Sequence, residues 1–143
     1  MVVRKGATPA FPGQKGFVGG YMGDDAVILE GADLDHGPTP EQREALFSTV
    51  HGAGRVMGRT AARGRWTRGR QVKRGRISPE MMQRWLERKG VVLRGGGLDE
   101  APQLYRRLPD VLEAQGDTVT VRHTLPPLVV CMAPANTGDP YKG

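Results

Sequence analysis

The sequence predicts an α+β domain built of mixed short strands and helices. Short apolar runs recur at 26–30, 46–50 and 128–132, each bounded by turn residues and each of strand length. One stretch, 79–89, carries helical periodicity with both a start and a stop signal. The two patterns alternate along the chain instead of falling into blocks, and no repeat of roughly 20–50 residues organises them.

In chain order, residues 1–23 are rich in Gly and Pro and predict loops with at most one short strand. The run AVILE at 26–30 predicts a buried strand, 33–40 a polar loop, and LFSTV at 46–50 a second strand. Helix is expected at 55–62. The basic, glycine-punctuated stretch 64–75 reads as a surface loop. Ser78-Pro79-Glu80 supplies an N-cap, a proline at the first helical position and an acid at the positive end of the dipole. Met81, Met82, Trp85 and Leu86 give that helix one apolar face for the core, and Gly90 is placed to stop it. A strand is expected at 91–93 and a short helix at 109–114. Over 117–125, Val119, Val121, His123 and Leu125 alternate with threonines and Arg122, so a strand with one apolar face is predicted. The run at 128–132 predicts a last buried strand.

Composition narrows the function classes. The 143 residues suffice for one domain, and 38% hydrophobic with 25% charged residues excludes wholesale disorder. The 21 glycines and 11 prolines demand many turns. A single cysteine, Cys131, excludes a disulfide scaffold and a cysteine-based zinc site. No apolar run approaches the roughly 18 residues of a membrane span, and the first residues lack the apolar core of a secretory signal. A cytoplasmic setting without a membrane partner is the expectation. The charge excess of +6 favours an anionic partner, nucleic acid or nucleotide above all. Nine basic residues and no acidic one lie between Arg55 and Arg76. Such a run is either an anion-binding surface or a solvated loop.

Three histidines are candidates for chemistry. His36 lies in a Gly/Pro loop and reads as solvated, and His123 reads as a core or edge residue of its strand. His51 ends an apolar run and is followed by Gly52, Ala53 and Gly54, whose small side chains let backbone N–H groups approach a phosphate. Arg55 and Arg59, four apart, would share a helical face and could hold phosphate oxygens. A neutral imidazole is a competent nucleophile at phosphorus.

The segment His51-Gly52-Ala53-Gly54-Arg55, with Arg59, resembles the guanylylation motif of the RtcB family of tRNA-splicing RNA ligases. Four further segments agree in order: Arg4-Lys5-Gly6-Ala7-Thr8, Gly20-Tyr21-Met22-Gly23, Gly97-Leu98-Asp99-Glu100-Ala101-Pro102 with Tyr105, and the closing Lys142-Gly143. The resemblance spans all 143 residues but about the last third of a typical member, so it implies one domain or fragment with the C-terminal part of that fold. It further implies an RNA ligase joining a 3′-phosphate or 2′,3′-cyclic phosphate to a 5′-hydroxyl, using GTP and Mn²⁺. His51 would carry the guanylate. Gly19, Gly20, Tyr21, Met22, Gly52, Ala53 and Gly54 would line the nucleotide, Tyr105 would pack on guanine, and Lys142 would reach the base or ribose. Lys5, Arg55 and Arg59 would hold RNA phosphate. The family's manganese ligands fall upstream of the matched region, so no metal ligand is assigned here. A truncated or split ligase is expected, with a separate chain supplying the metal-binding part; a catalytically silent RNA-binding relic is the alternative. The chain departs from the family pattern at Val3, Tyr21 and Ala26, where many members have histidine, serine and serine. Cys131 does not match the family's metal-binding cysteine, and Asp24-Asp25 is expected to be an exposed acidic turn.

Overall fold

The computed structural model describes residues 1–134, the Trp66 side chain excepted. Strand and helix alternate as expected for an α+β chain. The central sheet has three antiparallel strands: β2 (Lys15–Val18), β3 (Ala26–Gly31) and β8 (Val119–Leu125), with β3 in the middle. Because β3 is paired on both sides, its inward positions Val27 and Leu29 are shielded from water and form the core with Val18, Ala10, Ala53, Leu108 and Val119. Gly31 ends β3 where a Cβ would lie 2.1 Å from the Phe11 carbonyl oxygen, so only glycine lets the two backbones approach.

Three two-stranded sheets surround this centre. Strand β1 (Ala7–Pro9) pairs antiparallel with β4 (Ser48–Val50). Strands β5 (Gly64–Thr67) and β6 (Arg70–Arg74) form a hairpin. Strand β7 (Val92–Gly96) pairs in parallel with β9 (Val129–Pro134). The helices are α1 (Pro40–Glu44), α2 (Arg59–Arg63), α3 (Pro79–Lys89) and α4 (Leu108–Glu113). Helix α3 begins and ends as its sequence requires: the Ser78 hydroxyl accepts from the Met81 amide, and Gly90 closes it in the left-handed region at φ 66°. Its Leu86 joins Met22 and Val91 in a second cluster, and Ala62, Ile77, Ala101 and Leu104 form a third. No helix of the described residues is long and apolar enough to cross a membrane.

Several expectations are corrected. The first 23 residues contain two strands, β1 and β2, not at most one. The loop expected at 33–40 holds through Thr39, but helix α1, which was not expected, begins at Pro40, and Thr39 and Gln42 cap it reciprocally. The strand expected at 46–50 starts only at Ser48, because Leu46 and Phe47 adopt left-handed backbone (φ 53° and 52°) to close α1. Their amides donate to the Arg43 and Gln42 carbonyls. Residues 55–58 are not helical, since Gly54 turns the chain at φ 74° and α2 starts after Gly58. The loop expected at 64–75 is a hairpin, turned by Arg68 and Gly69 at φ 49° and 75°, the two positive values a tight hairpin turn needs. In β8 a bulge opposite Ile28 and Leu29 breaks the alternation, so Val119 and Val121 pair on one face while His123 and Leu125 pass to the other. Only Val119 is buried there, and His123 is exposed. Strand β9 is not a buried strand: Val129 is 57% exposed, as it lies on an edge with β7 as its single partner. On α3, Met81 faces out of the core.

Candidate functional site

His51 follows directly on β4, where the chain leaves the β1–β4 pair. Three segments far apart in sequence meet around it. Gly19 bridges in parallel to Gly52, and Arg55 bridges antiparallel to Tyr105. The Val56 amide donates to the Leu104 carbonyl at 2.7 Å, and the Arg106 amide to the Gly54 carbonyl at 3.0 Å. These backbone bonds bring together the Gly19–Gly20 turn, the His51–Arg55 segment and the segment around Tyr105. Gly20 is indispensable to the turn, as a Cβ there would lie 2.3 Å from the Asp24 carbonyl oxygen.

The result is a cleft of about 490 Å³ lined by Gly19, Gly20, Tyr21, His51, Gly52, Ala53, Gly54, Arg55 and Tyr105. A second hollow of about 520 Å³ lies against the same His51–Gly54 segment, walled by Gly6, Arg106, Arg107 and α4. His51 therefore lines two clefts, and its imidazole is exposed. Gly6 sits beside it in left-handed backbone (φ 73°), where a Cβ would come 3.8 Å from the ring's Cε1.

The electrostatics centre on two carboxylates. Glu100 receives two hydrogen bonds from Arg55, at 2.8 and 3.0 Å, and Arg59 donates to it at 2.9 and 3.0 Å. The Tyr105 hydroxyl also donates to Glu100. Burial alone would push the Glu100 carboxyl up, but the Tyr105 hydroxyl and the two guanidiniums outweigh it and hold the group below its ordinary value. Tyr105 is raised in turn, first by burial and then by its bond to Glu100. Asp24 is only 2% exposed, which corrects the expectation of an exposed acidic turn. Arg107 clasps it at 3.1 and 3.3 Å, and the Leu108 amide donates to it at 3.2 Å. Here too burial works upward, and the bonds from Arg107 and Leu108 prevail and lower the carboxyl.

The expected site residues sort as follows. Gly19, Gly20, Tyr21, His51, Gly52, Ala53, Gly54, Arg55 and Tyr105 share one cleft. Tyr21 stacks on Tyr105, ring centroids 4.9 Å apart and 12° between planes. The Tyr21 phenol is raised by burial and by the Asp24 charge. Met22 is the departure: its side chain is 3% exposed and packs with Leu86 and Val91 in the core beneath the turn. Arg55 and Arg59 do not share a helical face, yet they converge on Glu100. Lys5 is exposed and lines neither cleft. Lys142 lies outside the described residues. Sequence reasoning missed Glu100 as the shared acceptor, and Arg106 and Arg107 on the second hollow. Among the described residues no group of three or more His, Cys, Asp or Glu side chains could hold a metal ion. A donor set for Mn²⁺ is thus not found among the described residues.

A glycine-lined cleft with an exposed histidine on its wall belongs to a class of sites suited to phosphate chemistry. A family profile described as tRNA-splicing ligase RtcB matches residues 1–133. The chain is 35% identical over 131 residues to the RNA-splicing ligase RtcB of Escherichia coli strain K12, covering 92% of this chain and 27% of that protein. It is 36% identical over 129 residues to the tRNA-splicing ligase RtcB of Archaeoglobus fulgidus, covering 78% and 23%. The Thermococcus kodakarensis tRNA-splicing ligase RtcB is 32% identical over 130 residues, with 79% and 23% covered. The chain belongs to the RtcB family of RNA ligases. It spans about a quarter of the length of these relatives.

Proposed function

We propose that this chain is the guanylylating portion of an RNA ligase that joins an RNA 3′-phosphate, or 2′,3′-cyclic phosphate, to a 5′-hydroxyl at the expense of GTP. The observation that supports it best is the convergence of the Gly19–Gly20 turn, the His51–Arg55 segment and Tyr105 on one cleft with His51 on its wall. A His51 ring nitrogen attacks the α-phosphorus of GTP, a P–N bond forms, and pyrophosphate leaves with the electrons of the broken P–O bond. The guanylate then passes to the RNA 3′-phosphate and frees the imidazole. The 5′-hydroxyl oxygen attacks the activated phosphorus and expels GMP.

In this reading the glycine turns give backbone donors room to reach the nucleotide phosphates, and Tyr105 exchanges its Tyr21 partner for guanine. Arg55 and Arg59 stand ready for RNA phosphate but are held by Glu100, so RNA binding exchanges one anionic partner for another. Lys5 and Lys142 complete the phosphate and base contacts in the same proposal. The Mn²⁺, a Lewis acid when bound, comes from a metal-bearing part of the ligase beyond these 143 residues, on a separate chain or otherwise. A second reading, a module that holds RNA without catalysis, is favoured by the Tyr21–Tyr105 stack and the Arg55 guanidinium over the Tyr105 ring at 5.3 Å, which already supply that ring with partners.

The test is labelling with α-³²P-GTP in the presence of Mn²⁺ and the remaining part of a relative supplied in trans. Acid-labile label on the wild-type chain, lost in His51→Ala, is the expected result. Label that survives His51→Ala removes the histidine assignment, and no label on the wild type favours the silent module.

A further inference from the structure

The longest unneutralised stretch of positive charge lies away from His51, on the β5–β6 hairpin. Cross-strand pairing sets Arg65 directly opposite Lys73 and Thr67 opposite Arg70, so three cations occupy one face. Like charges directly opposite on neighbouring strands destabilise a hairpin unless an anion lies between them. Within the described residues Arg65, Arg68, Arg70 and Lys73 make no ion pair, and all four are exposed. The contrast with the His51 region is sharp: there Arg55, Arg59 and Arg107 are each held by a carboxylate. The hairpin's counter-charge has to come from outside.

At the base of the hairpin a groove of about 820 Å³ continues the charge. Arg63, Arg74, Arg76 and Arg84 line it, against two carboxylates, Glu80 and Asp99. Met81 and Arg84 are shared with a neighbouring hollow on α3, which adds Trp85, Arg88 and one carboxylate, Glu87. The hairpin side of this groove is made by Gln71 and Arg74, which the strand alternation puts on the face opposite Arg65 and Lys73, so cations flank the hairpin on both faces. From there the groove leads past the start of α3 to the Trp85 ring, with Arg88 over it at 5.8 Å.

We propose that the β5–β6 hairpin and this groove form a second RNA surface, one that grips the phosphate backbone away from the reacting ends. The proposal rests on the reading of RNA as substrate and extends it to a site outside the His51 clefts. An acidic protein partner fits less well. Stable protein interfaces carry an apolar centre, and among the described side chains of the hairpin the one large exposed apolar group is Val72, set among Arg65, Arg70 and Lys73. A phosphate backbone asks only for accessible cations and is read through counterion release.

The experiment measures fluorescence anisotropy of a fluorescein-labelled 20-nucleotide RNA titrated with the full chain across a salt series. The triple variant Arg65→Ala, Arg70→Ala, Lys73→Ala should bind at least 10-fold more weakly at low salt. The slope of log affinity against log salt should flatten by about 2, from about 0.7 for each lost single-strand contact. The pair Arg65→Lys with Arg70→Lys should keep the wild-type slope, and far-ultraviolet circular dichroism should be the same for all. An unchanged slope in the triple variant overturns the proposal. So does a lysine pair that binds as poorly as the alanines, or displacement of RNA by polyglutamate at equal charge concentration. His51→Ala separates the two readings. Guanylylation at His51 with a slope indifferent to the hairpin removes this surface alone; a hairpin-dependent slope without guanylylation removes the ligase reading alone.

Discussion

Glu100 is the residue on which the cleft's charge balance turns. It accepts from side chains 5, 41 and 45 positions away, and so ties together elements that share no sequence neighbourhood. Its carboxyl lies below the ordinary 4.5, so its contribution to stability is complete above that value and is lost as pH falls through the lower folded one. Asp24 acts in the same direction from an ordinary 3.8. Unfolding by urea should therefore give a constant free energy between about pH 7 and 5 and a declining one below 4.5. Glu100→Gln should cost about 2 kcal/mol at pH 7, the scale of hydrogen bonds to a charged group, and should flatten the acid decline. An equally steep decline in the variant would assign the effect to other carboxylates. At this scale the cleft's wall was legible, because His51, Gly52, Ala53 and Gly54 are contiguous. Glu100's role was not, since a carboxylate's choice of arginine is a long-range outcome of folding. The same holds for Asp24, whose burial depends on Arg107 arriving from 83 positions away.

Elements were legible where their ends are chemically marked. Helix α3 carries Ser78, Pro79 and Gly90, and its bounds follow. Helix α1 has an equally readable mark in Thr39 and Gln42, but it is only five residues long and carries no apolar stripe to signal it. Leu46 and Phe47 looked like strand because they are apolar, yet they close α1, where Phe47 stacks on Phe11 at 5.0 Å and Arg4 donates to the Leu46 carbonyl at 2.9 Å. Caps of this kind contribute about 1 kcal/mol each. Ser78→Ala and Thr39→Ala should each lower the urea midpoint by that equivalent, and Ser78→Gly should lower it by only a few tenths of it. In Thr39→Ala the Gln42 side chain keeps its bonds, since it accepts from the residue-39 backbone amide and donates to the Ala32 carbonyl, so the loss is confined to the hydroxyl that accepts from the Gln42 backbone amide.

Across the whole molecule, the α+β class was legible in the interleaved patterns, while burial was not. Apolar runs at 117–125 and 128–132 promised core, but Leu128 is 77% exposed and β9 has one neighbour. Hydrophobicity reports what a strand can bury, not how many strands will flank it. Among the described residues the buried apolar side chains fall into three small clusters. Hydrogen exchange should separate them: slow in β3, which is paired on both sides, and in α3, and fast in β5–β6 and β7–β9. Two-stranded sheets that exchange as slowly as β3 would show a more unified core than these clusters provide.

The position of His51 between two hollows has a kinetic consequence. Residue 51 is a wall of both spaces, so two bound groups, one in each, can touch the imidazole without sharing a cavity, and neither has to depart before the other arrives.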